Sequence, residues 1–466
     1  MSEKSKGELL KEKLFLKSEN CFNVLGQDES AKAFLFCDNY KTFLDSAKTE
    51  REAVAFVINE AINNGFAQFD SSKIYKTGDK VYYNNRNKAL ILAVIGVDKL
   101  ENGFSIVASH IDAPRLDLKP RPVYEEGELA FLKTHYYGGI KKYQWTAVPL
   151  AIHGVIIKKD GNTVTVNIGE KENEPVFCVT DLLPHLAKDQ MSKTMENGIL
   201  GEALNVLIGS IPFKDDKSSE NVKLNILNLL FEKYGIIEQD FISAELEVVP
   251  AFKAKDVGFD KSMIGGYGQD DRVCVFPAYS AIFDVNKPNK TTVVVLTDKE
   301  EIGSSGNTGL MASYLKNFLK SLCNSQKQDF IKTLNNSKCL SADVSAGFDP
   351  NYPDVNEKNN TAYLNHGTVL TKYTGVKGKA STSDATAELI AYFRKIFDDN
   401  AVIWQTGELG KVDQGGGGTV AQYIAHLDID VVDLGVPVLS MHSPFEITCK
   451  SDIYMTYKAI LAFFNN

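Results

Sequence analysis

Apolar positions along the chain fall into short unbroken runs, separated by stretches in which they recur at helical spacing. The runs KALILAVIG (88–96), GFSIVASHID (103–112) and TTVVVLTD (291–298) are short and apolar with little polar alternation, which predicts strands buried on both faces. Residues 30–64 carry apolar positions at helical spacing and stop at Asn64-Gly65, predicting two helices. Beyond residue 250 the pattern predicts a helix over VCVFPAYSAIFDV (273–285), a helix from about Gly309 to Ser321, a strand at KCLSADVS (338–345) and a helix over SDATAELIAYFRKIF (383–397). Two further strands follow at AVIWQT (401–406) and VVDLGVPVLSMH (431–442). Strands alternating with helices predict an α/β fold, with a mostly parallel central sheet and helices on both faces.

Residues 121–249 read differently. AVPLAIHGVIIKKDGNTVTVNIG (147–169) sets two β-rich runs on either side of Asp160-Gly161, the signature of a hairpin. The expected organisation is one α/β domain built from residues 1–120 and 250–466, interrupted by an inserted, mainly β domain at 121–249. A chain of 466 residues exceeds the size at which one core keeps growing, so two domains also suit its length.

Composition narrows the function classes. With 44% hydrophobic and 24% charged residues and no apolar segment of membrane-spanning length, the chain is expected to be soluble, without a membrane partner. Its first residues mix both charge signs without an apolar core, and its seven cysteines are scattered and odd in number, as in a reducing compartment; a cytoplasmic location is expected. The net charge of −9 includes no basic block, so no nucleic-acid partner is expected.

Candidate chemistry gathers where strands end, the place at which open α/β sheets bind ligands. His110 and Asp112 end GFSIVASHID, Glu300 and Glu301 follow TTVVVLTD, Asp343 ends KCLSAD, and His442 ends VPVLSMH. Asp270 and Asp271 stand in GGYGQDDR just before a helix. Alone, each has an ordinary explanation, such as a satisfied strand histidine or a helix N-cap. Together, two imidazoles and several carboxylates suit divalent zinc, manganese or cobalt. Two ions use the set: His110 with Asp343, His442 with Glu301, and one aspartate of the 270/271 pair shared. Asp112, two residues from His110 on an extended chain, is placed to accept the imidazole N–H. Glu300, left over beside a ligand, is the natural general base for a metal-bound water. DQGGGGTVAQ (413–422) meets neither phosphate-binding nor dinucleotide-binding patterns and is expected to be a loop near the site. His135, His153, His366 and His426 have no argued role.

SHIDAPRLDLKP, GQDDR, DKEEIGSSGNTG, SADVSAGFDPNY and DLGVPVLSMHSP, in this order, resemble the dinuclear zinc aminopeptidases of the aspartyl aminopeptidase and vacuolar aminopeptidase I family. The resemblance covers nearly the whole chain. It implies a metalloaminopeptidase acting on peptides with a free N-terminus. The implied metal ligands are His110, Asp270, Glu301, Asp343 and His442, with Asp270 bridging; Glu300 is the implied general base and Asp112 the residue that orients His110. It further implies that the insert dimerises, that dimers assemble into a homododecamer, and that His185, in LLPHLA, reaches a neighbouring subunit's site. Lys372, in GTVLTKYTG, is similar in placement to a family lysine near the substrate, where it would meet an N-terminal Asp or Glu. The chain departs from aspartyl members after Asp343, where VSAGFDP stands in place of a histidine-containing segment. The alternatives to an aminopeptidase are a dinuclear hydrolase of a non-peptide amide and a metal-binding assembly protein without turnover, which would not need Glu300.

Overall fold

Strand Ala89–Val94 shows what the unbroken apolar runs do. Leu90, Leu92 and Val94 point into one buried cluster, whereas Ala89, Ile91 and Ala93 point into another on the opposite side of the sheet. Val294 and Leu296 divide from Val293 and Val295 in the same way, and Val107 from Ile106 and Ala108. A computed structural model describes residues 4–215 and 217–466. Among them, nine strands form the large sheet in the order Ala67–Gln68, Lys80–Asn85, Ala89–Val94, Thr292–Thr297, Ser105–His110, Lys338–Ala342, Asp430–Gly435, Thr368–Thr371, Trp404–Thr406. Its four central strands, from Thr292–Thr297 to Asp430–Gly435, run parallel, with antiparallel neighbours outside them. The central part is therefore parallel, as the pattern predicts, and its margins are mixed.

Helices Gln27–Ser46, Glu50–Asn63, Gln269–Asp284, Ala387–Asp399 and Lys450–Phe464 cover one face, and Tyr314–Ser325, Phe330–Asn335 and Ala421–Ala425 the other. Helix Ala387–Asp399 is capped by the Thr386 hydroxyl, which accepts from the Leu389 N–H, and buries Leu389, Phe393, Ile396 and Phe397 as one stripe. The helix expected from Gly309 instead begins at Tyr314, because Gly309–Ala312 folds back in turns on Ser304, whose carbonyl accepts the Met311 N–H.

A second sheet of seven strands, all antiparallel, uses chain between Arg115 and Pro250. The Asp160-Gly161 hairpin forms between Leu150–Ile157 and Thr163–Ile168. Helix Asn221–Tyr234 packs on this sheet, whose core includes the fully buried Trp145. Buried ion pairs join the two sheets. Glu50, at the start of a helix on the large sheet, lies 2.8 Å from Lys88 and 3.2 Å from Arg115, and Arg115 lies 3.2 Å from Glu247 of the second sheet.

The run VVDLGVPVLSMH does not form one strand. It pairs in the large sheet through Gly435, then breaks at Pro437, which lacks an N–H, and Pro437–Leu439 joins a small five-stranded sheet with Glu446–Cys449 and Ser345–Ala346. No helix among the described residues is long and apolar enough to cross a membrane.

Candidate active site and metal centre

Parallel strands share a carboxyl end, so the residues that leave Ser105–His110, Thr292–Thr297 and Lys338–Ala342 meet there. His110 is the last residue of its strand and is buried. Its Nε2 lies 3.1 Å from Asp270 Oδ1, 3.8 Å from Asp343 Oδ1 and 4.0 Å from Glu300 Oε2. Its Nδ1 lies 3.1 Å from the Asp112 carbonyl oxygen and 3.4 Å from Asp112 Oδ1. His442 is not at the end of a strand in the large sheet. It sits in the turn between the small-sheet strands Pro437–Leu439 and Glu446–Cys449, with φ +64°, and its Nε2 lies 3.1 Å from Asp270 Oδ2 and 3.6 Å from Glu301 Oε2.

The two oxygens of Asp270 thus face different histidines. Asp271, its neighbour across a cis peptide, turns into the core, where Oδ2 accepts the His110 backbone N–H at 3.3 Å. The adjacent glutamates splay apart, Glu300 toward His110 and Glu301 toward His442. Their turn is held by Asp112, whose Oδ1 accepts the Glu300 N–H at 3.1 Å and whose Oδ2 accepts the Glu301 N–H at 3.2 Å.

These groups are poorly matched to one another without a cation. Burial pushes Glu300 up to about 7, with Asp112 and Asp270 adding to it. Burial likewise pushes Glu301 and Asp343 well above the ordinary carboxylate range, with Asp270 raising both. Burial works against ionised Asp270 too, but the hydrogen bonds from His110 and His442 hold it below that range. Burial opposes protonation of His442, and the Asp270 and Glu301 carboxylates overcome it, pushing the imidazole up to about 10. Glu301 Oε1 is buried without a hydrogen-bond partner. Zinc bonds to nitrogen and oxygen at about 2.0–2.2 Å, so ligand atoms around a tetrahedral ion stand roughly 3.4 Å apart. The histidine-to-carboxylate separations, 3.1 and 3.8 Å from His110 to Asp270 and Asp343 and 3.1 and 3.6 Å from His442 to Asp270 and Glu301, bracket that value. The donor set fits divalent metal.

A family model described as aminopeptidase I zinc metalloprotease (M18) matches residues 43–464. The chain belongs to this family. A probable M18 family aminopeptidase 1 of Clostridium acetobutylicum is 50% identical over 456 residues, covering 96% of this chain and 98% of its own. The crystal structure of an M18 aminopeptidase from Thermotoga maritima superposes with a TM-score of 0.93 at 42% identity, covering 97% of this chain and 100% of that one. The fold alone is shared with the mApe1 dodecamer of S. cerevisiae, 22% identical with a TM-score of 0.74 over 92% of this chain and 95% of that one. The chain is thus a zinc metalloaminopeptidase, a hydrolase of peptides.

The residues around His110 and His442 open into a cleft of about 410 Å³. Its walls include Thr371, Thr374, Glu408, Asp433 and three glycines of DQGGGGTVAQ, Gly416, Gly417 and Gly418, which stand beside the site as the sequence suggests. Lys372 is half-exposed and paired with Asp384 at 3.2 Å, and it is not among the residues lining the cleft. His185 lies in the exposed turn Pro184–Leu186 of the second sheet's chain, away from its own cleft. Sequence reasoning passed over Glu446, which is buried and whose carboxylate accepts the His442 N–H at 2.7 Å and the Asp270 N–H at 3.1 Å. Its spacing of four from His442 was the available signal. It also missed Tyr137, whose hydroxyl donates to Asp112 Oδ2 at 2.8 Å, and the Gly139 carbonyl, which accepts from His442 Nδ1 at 2.8 Å.

Because a ligand that binds only the folded state stabilises it by mass action, zinc at about a hundredfold over its Kd adds about 2.7 kcal/mol. Returning Zn²⁺ to chelator-stripped protein is expected to raise the thermal midpoint by several degrees. In Asp270→Ala, which removes the carboxylate facing both histidines, that rise is expected to vanish. A full rise in the variant would show that Asp270 is not the shared ligand.

Proposed function

We propose that this aminopeptidase cleaves the N-terminal residue from peptides at two zinc ions, one held by His110 and Asp343, the other by His442 and Glu301, with Asp270 shared. Manganese or cobalt suits the same donors. The observation that carries this reading is the Asp270 carboxylate, each of whose oxygens stands 3.1 Å from a different imidazole. Zinc, when bound, supplies Lewis acidity toward the scissile carbonyl and lowers the pKa of water. Glu300, at the cleft wall with Oε2 4.0 Å from His110 Nε2, takes a proton from the attacking water as the oxygen–carbon bond forms. It returns that proton to the amide nitrogen as the carbon–nitrogen bond breaks. Asp112 steadies both His110 and the Glu300 turn. The ordering of Glu300 toward the cleft favours turnover over passive metal storage.

The cleft supports a neutral N-terminal residue over an acidic one. Glu408 and Asp433 add negative charge beside the metal ligands, and no lysine or arginine is among the described residues lining it. Asp384 already neutralises Lys372. An N-terminal Asp or Glu therefore meets like charge, whose juxtaposition is penalised.

The inserted domain, expected at 121–249, serves in this reading as the dimerisation module of a homododecamer, the assembly of mApe1. Supporting it, Leu182, Leu183, Leu186, Met191, Met195 and Leu200 are all more than half exposed around His185. His185 then completes the neighbouring subunit's cleft. A cytoplasmic location rests on the seven cysteines, all unpaired.

Assay of the zinc-loaded protein is expected to show cleavage of free peptides and none of their acetylated counterparts. Glu300→Gln is expected to keep its metal and lose about a hundredfold or more in turnover; near-normal turnover would remove Glu300 from the chemistry. Leucyl substrates are expected to exceed aspartyl ones in kcat/KM by about tenfold or more, a difference of about 1.4 kcal/mol. Lys372→Met should leave that ratio within about twofold. A reversed ratio that depends on Lys372 would instead establish an acidic preference. For His185, co-assembled His185→Ala and Glu300→Gln chains are expected to be more active than either parent, because each mixed pair rebuilds one intact site. Mixed oligomers no better than the parents would place His185 outside the partner's chemistry.

A further inference from the structure

The segment Tyr137-Gly138-Gly139 leaves the second sheet and passes directly behind the metal ligands. Tyr137 is the last residue of strand Leu129–Tyr137 and pairs across the ladder with Arg115, whose guanidinium lies over the Tyr137 ring at 3.9 Å from its centroid. Arg115 is itself pinned by Glu50, Asp117 and Glu247. The tyrosine is therefore clamped in place, buried, with its hydroxyl on Asp112 Oδ2. That same oxygen accepts the Glu301 N–H, and the Asp112 backbone carbonyl faces His110 Nδ1.

Two residues on, the same backbone meets the other half of the site. The Gly139 carbonyl accepts from His442 Nδ1, which leaves Nε2 directed at Asp270 and Glu301. Between them, Gly138 adopts φ +74°, a left-handed conformation that disfavours a side chain. A Cβ built there would stand 3.3 Å from both Cβ and Oε2 of Glu301. Each residue of the segment thus addresses a different group: Tyr137 the orienting partner of His110, Gly138 the space Glu301 occupies, Gly139 the imidazole of His442.

We propose that Tyr137-Gly138-Gly139 is a positioning clamp through which the antiparallel sheet orients the ligands of both metal positions. It rests on the dinuclear reading above and adds a consequence to it. The second sheet is not only a surface for assembly; the register of its Arg115–Tyr137 ladder sets how firmly metal is held in the first. None of the three residues need touch substrate. Partners that orient metal ligands typically change metal affinity or activity by about 10–100-fold when altered.

The test is metal release into a chromogenic chelator, after counting the ions bound per chain in the unaltered protein. Tyr137→Phe keeps the ring and its stacking on Arg115 and deletes only the hydroxyl. In a His442→Ala background, which isolates the His110 ion, it is expected to speed release about tenfold or more. Tyr124→Phe, a hydroxyl deletion elsewhere in the same sheet, should leave release unchanged, and thermal melts should match across the set. Gly138→Ala, in a His110→Ala background, is expected to speed release of the other ion by a similar factor, and it tests the clamp should Tyr137→Phe fail to fold. Two ions in the unaltered chain with release unchanged in both variants would overturn the clamp while leaving the dinuclear reading intact. Acceleration by Tyr124→Phe equal to that by Tyr137→Phe would also overturn it, because the effect would then be general loosening. Fewer than two ions would overturn the dinuclear reading, and the clamp with it.

Discussion

Charge crowded into a dry place governs this molecule. Asp270, Glu300, Glu301 and Asp343 meet within a few ångströms at the end of a sheet whose strands are buried on both faces. Two like charges 4 Å apart repel by about 4 kcal/mol at an effective dielectric near 20. The two imidazoles stand among these carboxylates, each 3.1 Å from an Asp270 oxygen, and divalent zinc suits the same donors. The groups behind them serve the same end. Asp112, Gly139 and Glu446 hold the histidines, Asp270 and the two glutamates through their backbone N–H groups and the outer imidazole nitrogens, and Tyr137 holds Asp112.

Three sheets divide this work. The large sheet delivers His110, Glu300, Glu301 and Asp343 from parallel strands, whose shared direction brings their ends together. The five-stranded sheet carries the turn that holds His442 and the strand that begins with Glu446. The antiparallel sheet delivers none of these side chains, yet the segment that leaves it sets the Tyr137 hydroxyl on Asp112 and the Gly139 carbonyl on His442. Strand ends, and the short turns that follow them, thus set most of the geometry.

The cleft wall has a different character. Its glycine-rich stretch packs backbone on backbone: a Cβ at Gly416 would stand 1.7 Å from the Gly375 carbonyl oxygen. The glycines therefore permit close approach of two loops, which is a packing requirement and not phosphate recognition. Asp433 illustrates the electrostatic side of the same wall. Burial raises its carboxyl to about 6, and the Thr419 hydroxyl donates to one oxygen while the other is buried without a partner.

Much of the site could be read before any coordinates. Unbroken β-branched runs favour strands buried on both faces, and strands alternating with helices favour parallel pairing, as the four central strands show, so acids and histidines at the ends of those strands converge. That logic found His110, Glu300, Glu301 and Asp343. It misplaced His442 as the end of a long strand, because a break at Pro437 moves the following residues into another sheet. It left Asp270 and Asp271 undivided on spacing alone, since which of two adjacent carboxylates faces the histidines depends on backbone direction over a few residues. Glu446 offered one local signal, its spacing of four from His442, but its bond to Asp270 spans 176 residues. Tyr137 and Gly139 were out of reach, because their partners lie 25 and 303 residues away and only the tertiary fold brings them together. Local pattern decides which segments become strands and where their polar ends fall; long-range register decides which groups stand behind those ends and hold them still.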